Sequence, residues 1–548
     1  MIEAKNYTYL VLLFVTSLFS LTTADGFNSK SVKGWAGKQL GSWHWQLPNT
    51  DNGLKPIESW HAIGSAPNGD IYIGGMDHVT NSALYRLESK LGTVRYVGDA
   101  RSASLAANNW QPTETGQKFH TRPLWYNGKV YVATMDRSNL NDDYLSSRGF
   151  HLYAYNPKEE KFTDLSSIEP LGIGAKHVSI VSTAVDPNLN VLYGAAVPTA
   201  DIYKYDIATG RTENLGRPTA YDKKYPYTGR VMWVDSRSRL YFSTGNLSWG
   251  EYNPSIYGHI YYYDPAKGFG ELKNWKLQES RAIELGQCLL IQKQCLFSDD
   301  RAHIYRFDDS LRSWSYIGQA KTVPAEIFSF NISADGKKAY IVTSSLGPIP
   351  ADIKKPNFLY EFDITTKTTR KLVSLRDLDP KLAASNRHTG YNAWDSDGRF
   401  YFTSFASYDG IEKIPITNRQ NAIVTRIDPV RLKVALGILP YLTEVTVSKS
   451  PQTDKSTYIF TRKGNVKTIQ EVIYKLIIVM KDGTTQERYG KITIPPGILS
   501  VTVPEQQFKL GKLEVIKSCV LSLIPNGNDY ITGTNSSVKL LIFNKKLH

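Results

Sequence analysis

One phrase recurs along the chain: a tight Asp/Asn/Gly turn, then a strand-like run with tyrosine at a fixed place. It reads APNGDIYIGGM at Tyr72, YNGKVYVATM at Tyr131, DPNLNVLYGAAV at Tyr193, DSRSRLYFSTG at Tyr241, SADGKKAYIVTSS at Tyr340 and DSDGRFYFTSF at Tyr401. IQKQCLFSDD, between Tyr241 and Tyr340, is a degenerate copy without the tyrosine. A second phrase follows each copy: ALYRLE, HLYAYN, DIYKYD, HIYYYD, HIYRFD, FLYEFD and IVTRID. The mean step from Tyr72 to Tyr401 is about 55 residues, and each unit supplies four alternating strands joined by turns. Four strands at such a period describe a propeller blade.

The fold predicted is therefore all-β: a seven-bladed β-propeller over about 33–440, followed by a small C-terminal β-sandwich domain over 445–548, where the turn phrase lapses. Composition agrees, since 34 Tyr and 12% aromatics favour pleated, half-buried surfaces. Ahead of the repeats, Lys5 precedes the apolar run TYLVLLFVTSLFSL and then TTADG. A charged start, a short apolar core and a small-residue exit near Ala24 read as a secretory signal peptide over 1–24, too short to span a membrane. The protein is expected to be secreted, extracellular or periplasmic.

The formal net charge is +14, and removing 1–24 deletes one Glu and one Lys, which leaves it unchanged. An exported protein of that sign attracts polyanions. The partner expected is an anionic polysaccharide, with no nucleic acid, no membrane and no organic cofactor, and the protein is read as a monomer. Three cysteines are too few for a disulfide scaffold, so the fold rests on its own core.

In a blade the start of the innermost strand emerges on one rim. Counting back 11 from the aligned tyrosine reaches His61, His120 and Arg230; His177 and His388 lie 16 and 13 back. Blade closure does not need imidazoles there, so these residues, with Arg301 and Trp249 from rim loops, are candidate substrate-binding groups. A basic cleft with histidines suits β-elimination of a uronate-containing polysaccharide. That reaction needs a cation on the carboxylate, a base of pKa near 7 for the α-proton and an acid for the departing O4. The catalytic candidates are His120 as base or shared acid/base, Tyr225 or Tyr227 (from YPYTGR) as partner and Arg230 as neutraliser. Cys288, Cys295 and His303 are suitable zinc ligands, with His259 or His388 as a fourth, so a structural zinc is one reading and a core cysteine pair or disulfide the other. No GxSxG elbow, P-loop or dinucleotide fingerprint is present.

The signal peptide, seven repeats, His-led innermost strands, basic rim and Cys/His cluster together resemble the propeller-type ulvan lyases of marine bacteria, over roughly residues 30–440. The resemblance implies cleavage at the C4 side of a uronate by a His/Tyr scheme with an Arg neutraliser, and a bound zinc in some members. Two rival readings remain at this point: a non-catalytic propeller that binds an anionic glycan, and a glycoside hydrolase using rim carboxylates such as Asp77, Asp136 or Asp299.

Overall fold

The computed structural model describes residues 31–77, 79–112, 114–135, 147–218, 226–248, 258–278, 280, 282–289, 294–322, 325–344, 357–406, 419–451, 457–510 and 515–540. The signal peptide expected over 1–24, Tyr225 and Trp249 lie outside these residues, and the side chain of Tyr227 is not described. Among the described residues no helix is long and apolar enough to cross a membrane.

The chain is nearly all β, built from antiparallel four-strand sheets, and its architecture is of the propeller type. Four-strand meanders run in chain order through Leu124–Asp164, Ser179–Gly216, Pro226–Lys276 and Leu285–Gln319; a fifth, Ile63–Asp99, gains an extra edge strand from Val32–Lys33. A nine-stranded sheet comprises two further meanders joined by a parallel pairing of Phe328–Phe330 with Thr389–Tyr391. The innermost strands are Ile63–Ser65, Leu124–Tyr126, Ser179–Asp186, Pro226–Val234, Leu285–Leu289, Glu326–Ile332 and Arg387–Trp394. Each contacts the next, and the last contacts the first. Ser42–Gln46, from the start of the chain, pairs with Ile423–Ile427 and completes the final sheet.

The recurring phrase has a physical basis. All six aligned tyrosines lie on second strands, nearly or fully buried. The turn aspartate caps the backbone ahead of them: Asp395 Oδ1 accepts from the Asp397 and Arg399 amides, and Asp235 Oδ1 from those of Arg237 and Arg239. The tyrosine hydroxyl then satisfies the same carboxylate, from Tyr401 at 2.7 Å and from Tyr241 at 3.2 Å. In these two blades buried ring and buried turn are thus fixed together, whereas the Tyr340 hydroxyl donates instead to the Gly527 carbonyl.

Beyond residue 443 two four-stranded sheets share one apolar core that includes Val445, Phe460, Leu476, Cys519 and Leu521. They meet the propeller at the turn ends of the last blades. Asn528 Nδ2 donates to Asp335 Oδ2 at 3.2 Å, the Tyr340 hydroxyl to the Gly527 carbonyl at 2.8 Å, and Lys433 Nζ to both Glu361 and Asn528.

Candidate functional site

The site lies where the innermost strands begin. His61 precedes Ile63–Ser65 with φ +57°, a left-handed conformation that a non-glycine residue holds only when its surroundings enforce it. Its ring is fully buried, and neither nitrogen has a hydrogen-bond partner. It stacks on His120 with centroids 5.1 Å apart, lies 5.1 Å from Tyr391 and meets Phe328 edge-on at 5.5 Å. His120 is 4% exposed, its Nδ1 3.3 Å from the Val181 carbonyl.

Arg230 reaches this centre because the Pro226–Val234 strand slips register between Thr228 and Met232, a bulge that re-aims the side chain. Gly229 permits it: a Cβ there would stand 2.4 Å from Ser243 Oγ and 2.7 Å from the Ile283 carbonyl. The guanidinium is pinned by Glu284 at 2.6 Å and lies 5.9 Å from the Phe328 ring centre. Tyr391 donates its hydroxyl to the Arg230 carbonyl at 2.7 Å. Arg387 closes the other side, over Phe328 and Trp60 at 5.7 and 5.8 Å, held by Glu326 at 3.3 Å.

Both imidazoles are neutral. Burial lowers the His61 pKa well below 6.5, reinforced by Arg230 and Lys118. Burial does the same for His120, reinforced by His61, Lys118 and Arg230, against a smaller opposing bond to Val181. A cation-rich pocket thus holds two uncharged imidazoles, whose protonation is disfavoured at neutral pH until a bound anion offsets the neighbouring cations.

The three residues found 11 positions before the tyrosine therefore converge, and the two at longer offsets do not. His177 is exposed, its Nδ1 2.8 Å from the Ser147 carbonyl, because the extra turn residues carry it off the rim. His388 is buried, but its ring faces Ser404 at 2.8 Å and Phe402, on the side of the strand away from Arg387. Arg301 sits in the turn before His303, beside Asp300, whose carbonyl receives the Ile327 amide.

The zinc reading is corrected by strand register. A two-residue turn at Gln292-Lys293 would put Leu290 opposite Cys295 and leave Cys288 diagonal to it, but Cys288 itself pairs directly opposite Cys295, and the two form a disulfide. Their sulfurs are bonded to each other and offer no thiolate to a metal. His303 instead turns its Nδ1 to Asp299 Oδ2 at 2.8 Å, and His259 its Nδ1 to Glu271 at 2.7 Å. Among the described residues no group of three or more His, Cys, Asp or Glu is arranged to hold a metal. Asp299, a hydrolase candidate, is committed to His303 and Tyr305. Asp77 caps the Val79 and Thr80 amides, and Asp136 lies outside the described residues.

Sequence reading missed Tyr391 and Arg387, although both stand in the stretch RHTGYNAW. The signal available was their place on an innermost strand. Beneath the imidazole pair the channel widens into a cavity of about 510 Å³ whose lining includes Arg122, Arg230, Tyr391, Thr183 and Gln287.

No family model matches the chain, and no curated protein matches it in sequence. Among solved structures it is similar to an oligogalacturonate lyase of Vibrio parahaemolyticus, at TM-score 0.41 and 10% identity, covering 73% of this chain and 98% of that one. It is also similar to the protein U3-55K, at TM-score 0.41 and 8% identity over 70% and 98% of the two chains. A third is the extracellular domain of a hybrid two-component system of B. thetaiotaomicron, at 0.43 and 11% over 90% and 57%. Functional assignment rests on the site itself.

Proposed function

We propose that this protein is an exported seven-bladed propeller with a C-terminal sandwich module, which cleaves a sulfated, uronate-containing polysaccharide of the ulvan class by β-elimination. The cycle of contacts among the innermost strands supports the blade count. The observation that carries the function is the stacked, neutral His61–His120 pair beside Arg230 and Tyr391.

In this reading Arg230 binds the uronate carboxylate, which stabilises the charge that develops when C5 loses its proton. Glu284 fixes the direction of the guanidinium. His120 takes the C5 proton through its imidazole. The C5–H electrons form the C4–C5 double bond as the C4–O4 bond breaks, and the electron pair of that bond leaves on O4. Tyr391 supplies the proton to O4, and His61 packs the pair in place. A bound carboxylate also opposes the field of Arg230 and Lys118, which raises the imidazole pKa values toward the range useful for a base.

A second reading, a propeller that binds an anionic glycan without cleaving it, is favoured by one observation: His61 is fully buried and His120 is 4% exposed. Incubation with ulvan, heparin-type and pectic polymers separates the two, read as ultraviolet absorbance from unsaturated uronate ends. Cleavage is expected with the sulfated uronate polymer and is lost in His120→Ala and Arg230→Ala. Retention on the polymer with no absorbance gain supports binding alone, and turnover by either variant removes that residue from the mechanism.

A further inference from the structure

Arg122 is not used by the mechanism above, and its surroundings are unusual. It lines the cavity of about 510 Å³ that also takes in Arg230, Tyr391, Thr183 and Gln287, with no aspartate or glutamate among the lining residues. Arg230 has Glu284 within 2.6 Å, but Arg122 has neither an ion pair nor a hydrogen bond among the described residues. Burial depresses its pKa from 12.5, opposed by Tyr391. Two neighbours share the deficit: Thr183 Oγ1 and Gln287 Oε1 are buried without partners among the described residues. A hydroxyl can turn to donate, and a glutamine amide can flip to do so.

Arg122 is half-buried, so its guanidinium opens on the cavity with only part of its hydration, and a cation held in this way is stabilised by an anion that meets it there. We propose that this cavity is an oxyanion site, with Arg122 as its cation and Thr183 and Gln287 as supporting donors. The planar fork of arginine suits two oxygens of one sulfate or carboxylate. The same chemistry has two sources: a free inorganic oxyanion, or the acidic substituent of a saccharide entering the channel. The assignment goes beyond the lyase reading and stands without it.

Thermal unfolding of the full chain tests it, in sodium sulfate against sodium chloride at matched ionic strength, for wild type, Arg122→Met and Arg122→Lys. Wild type is expected to melt at higher temperature in sulfate, increasingly with concentration, because a ligand that binds only the folded state stabilises it. Arg122→Met should lose that increment and, in chloride, melt no lower than wild type, since it removes an unpaired charge. Arg122→Lys should keep part of the increment. An equal sulfate increment in Arg122→Met, no increment in wild type, or a fall in its melting temperature in chloride each overturns the proposal. Sulfated and desulfated uronate oligosaccharides then identify the source: stabilisation by the sulfated one alone assigns the site to a saccharide sulfate, equal stabilisation by both assigns it to a saccharide carboxylate, and no effect of either assigns it to the free ion. A sulfate increment that depends on Arg122 in a protein cleaving no polymer keeps the anion site and discards the lyase reading.

Discussion

His151 is held between two carboxylates, with Nδ1 3.0 Å from Asp164 and Nε2 2.9 Å from Glu114, and is 4% exposed. Burial opposes its charge, but the bonds to Asp164 and Glu114 prevail and raise its pKa from 6.5 to about 9. The folded state then binds the proton more tightly than the unfolded chain. This contribution, about 3 kcal/mol, is full below pH 6.5 and is lost as pH rises through about 9. His44 and His388 have the opposite sign. Burial lowers them to about 4 and about 3, so their contribution is present above pH 6.5 and lost as pH falls through those values. Thermal melts across pH should therefore peak near 6.5 and fall on both sides. His151→Gln should flatten the alkaline limb and leave the acid limb in place.

Elements carry what the sequence pattern made legible. The tyrosine phrase and its follower fall on second and third strands because each strand must bury one face and satisfy one turn, constraints that act within a dozen residues. The offset of 11 found His61, His120 and Arg230 for the same reason. It could not find Tyr391 or Arg122, whose importance comes from what other sheets place around them, nor could it place His177, where the turn is longer. The two cysteines show the limit at its sharpest: a register slip of two residues, which keeps both on one face, puts Cys288 rather than Leu290 opposite Cys295 and turns a diagonal pair of metal ligands into a direct cross-strand bond. Cys288→Ser with Cys295→Ser should cost about 2 kcal/mol, the value for a loop with a sequence separation of 7, measured by urea unfolding with reductant as control. Gly229→Ala should cost about 1–3 kcal/mol and abolish polymer cleavage, since the new methyl displaces the bulge that carries Arg230.

At the scale of the whole molecule, two junctions hold the parts together. The sandwich is tied to the propeller through Lys433, 2% exposed, which pairs with Glu361 at 2.8 Å and reaches across to Asn528 Oδ1 at 3.1 Å, and through the Lys337–Glu471 pair at 2.6 Å. Lys433→Met leaves Glu361 without its buried ammonium and should lower stability by about 3 kcal/mol in urea titration, whereas Lys337→Met, on the exposed pair, should cost under about 1 kcal/mol. The second junction is the sheet shared by Ser42–Gln46 and Ile423–Ile427, where His44 Nδ1 meets Thr425 Oγ1 at 3.0 Å across 381 residues of chain.

That distance sets an order of events. Apart from its local pairing with Trp35–Ala36, this strand, made early in synthesis, must wait for Ile423–Ile427, and closing so long a loop is slow. The last sheet is then the latch of the structure, set after every other blade.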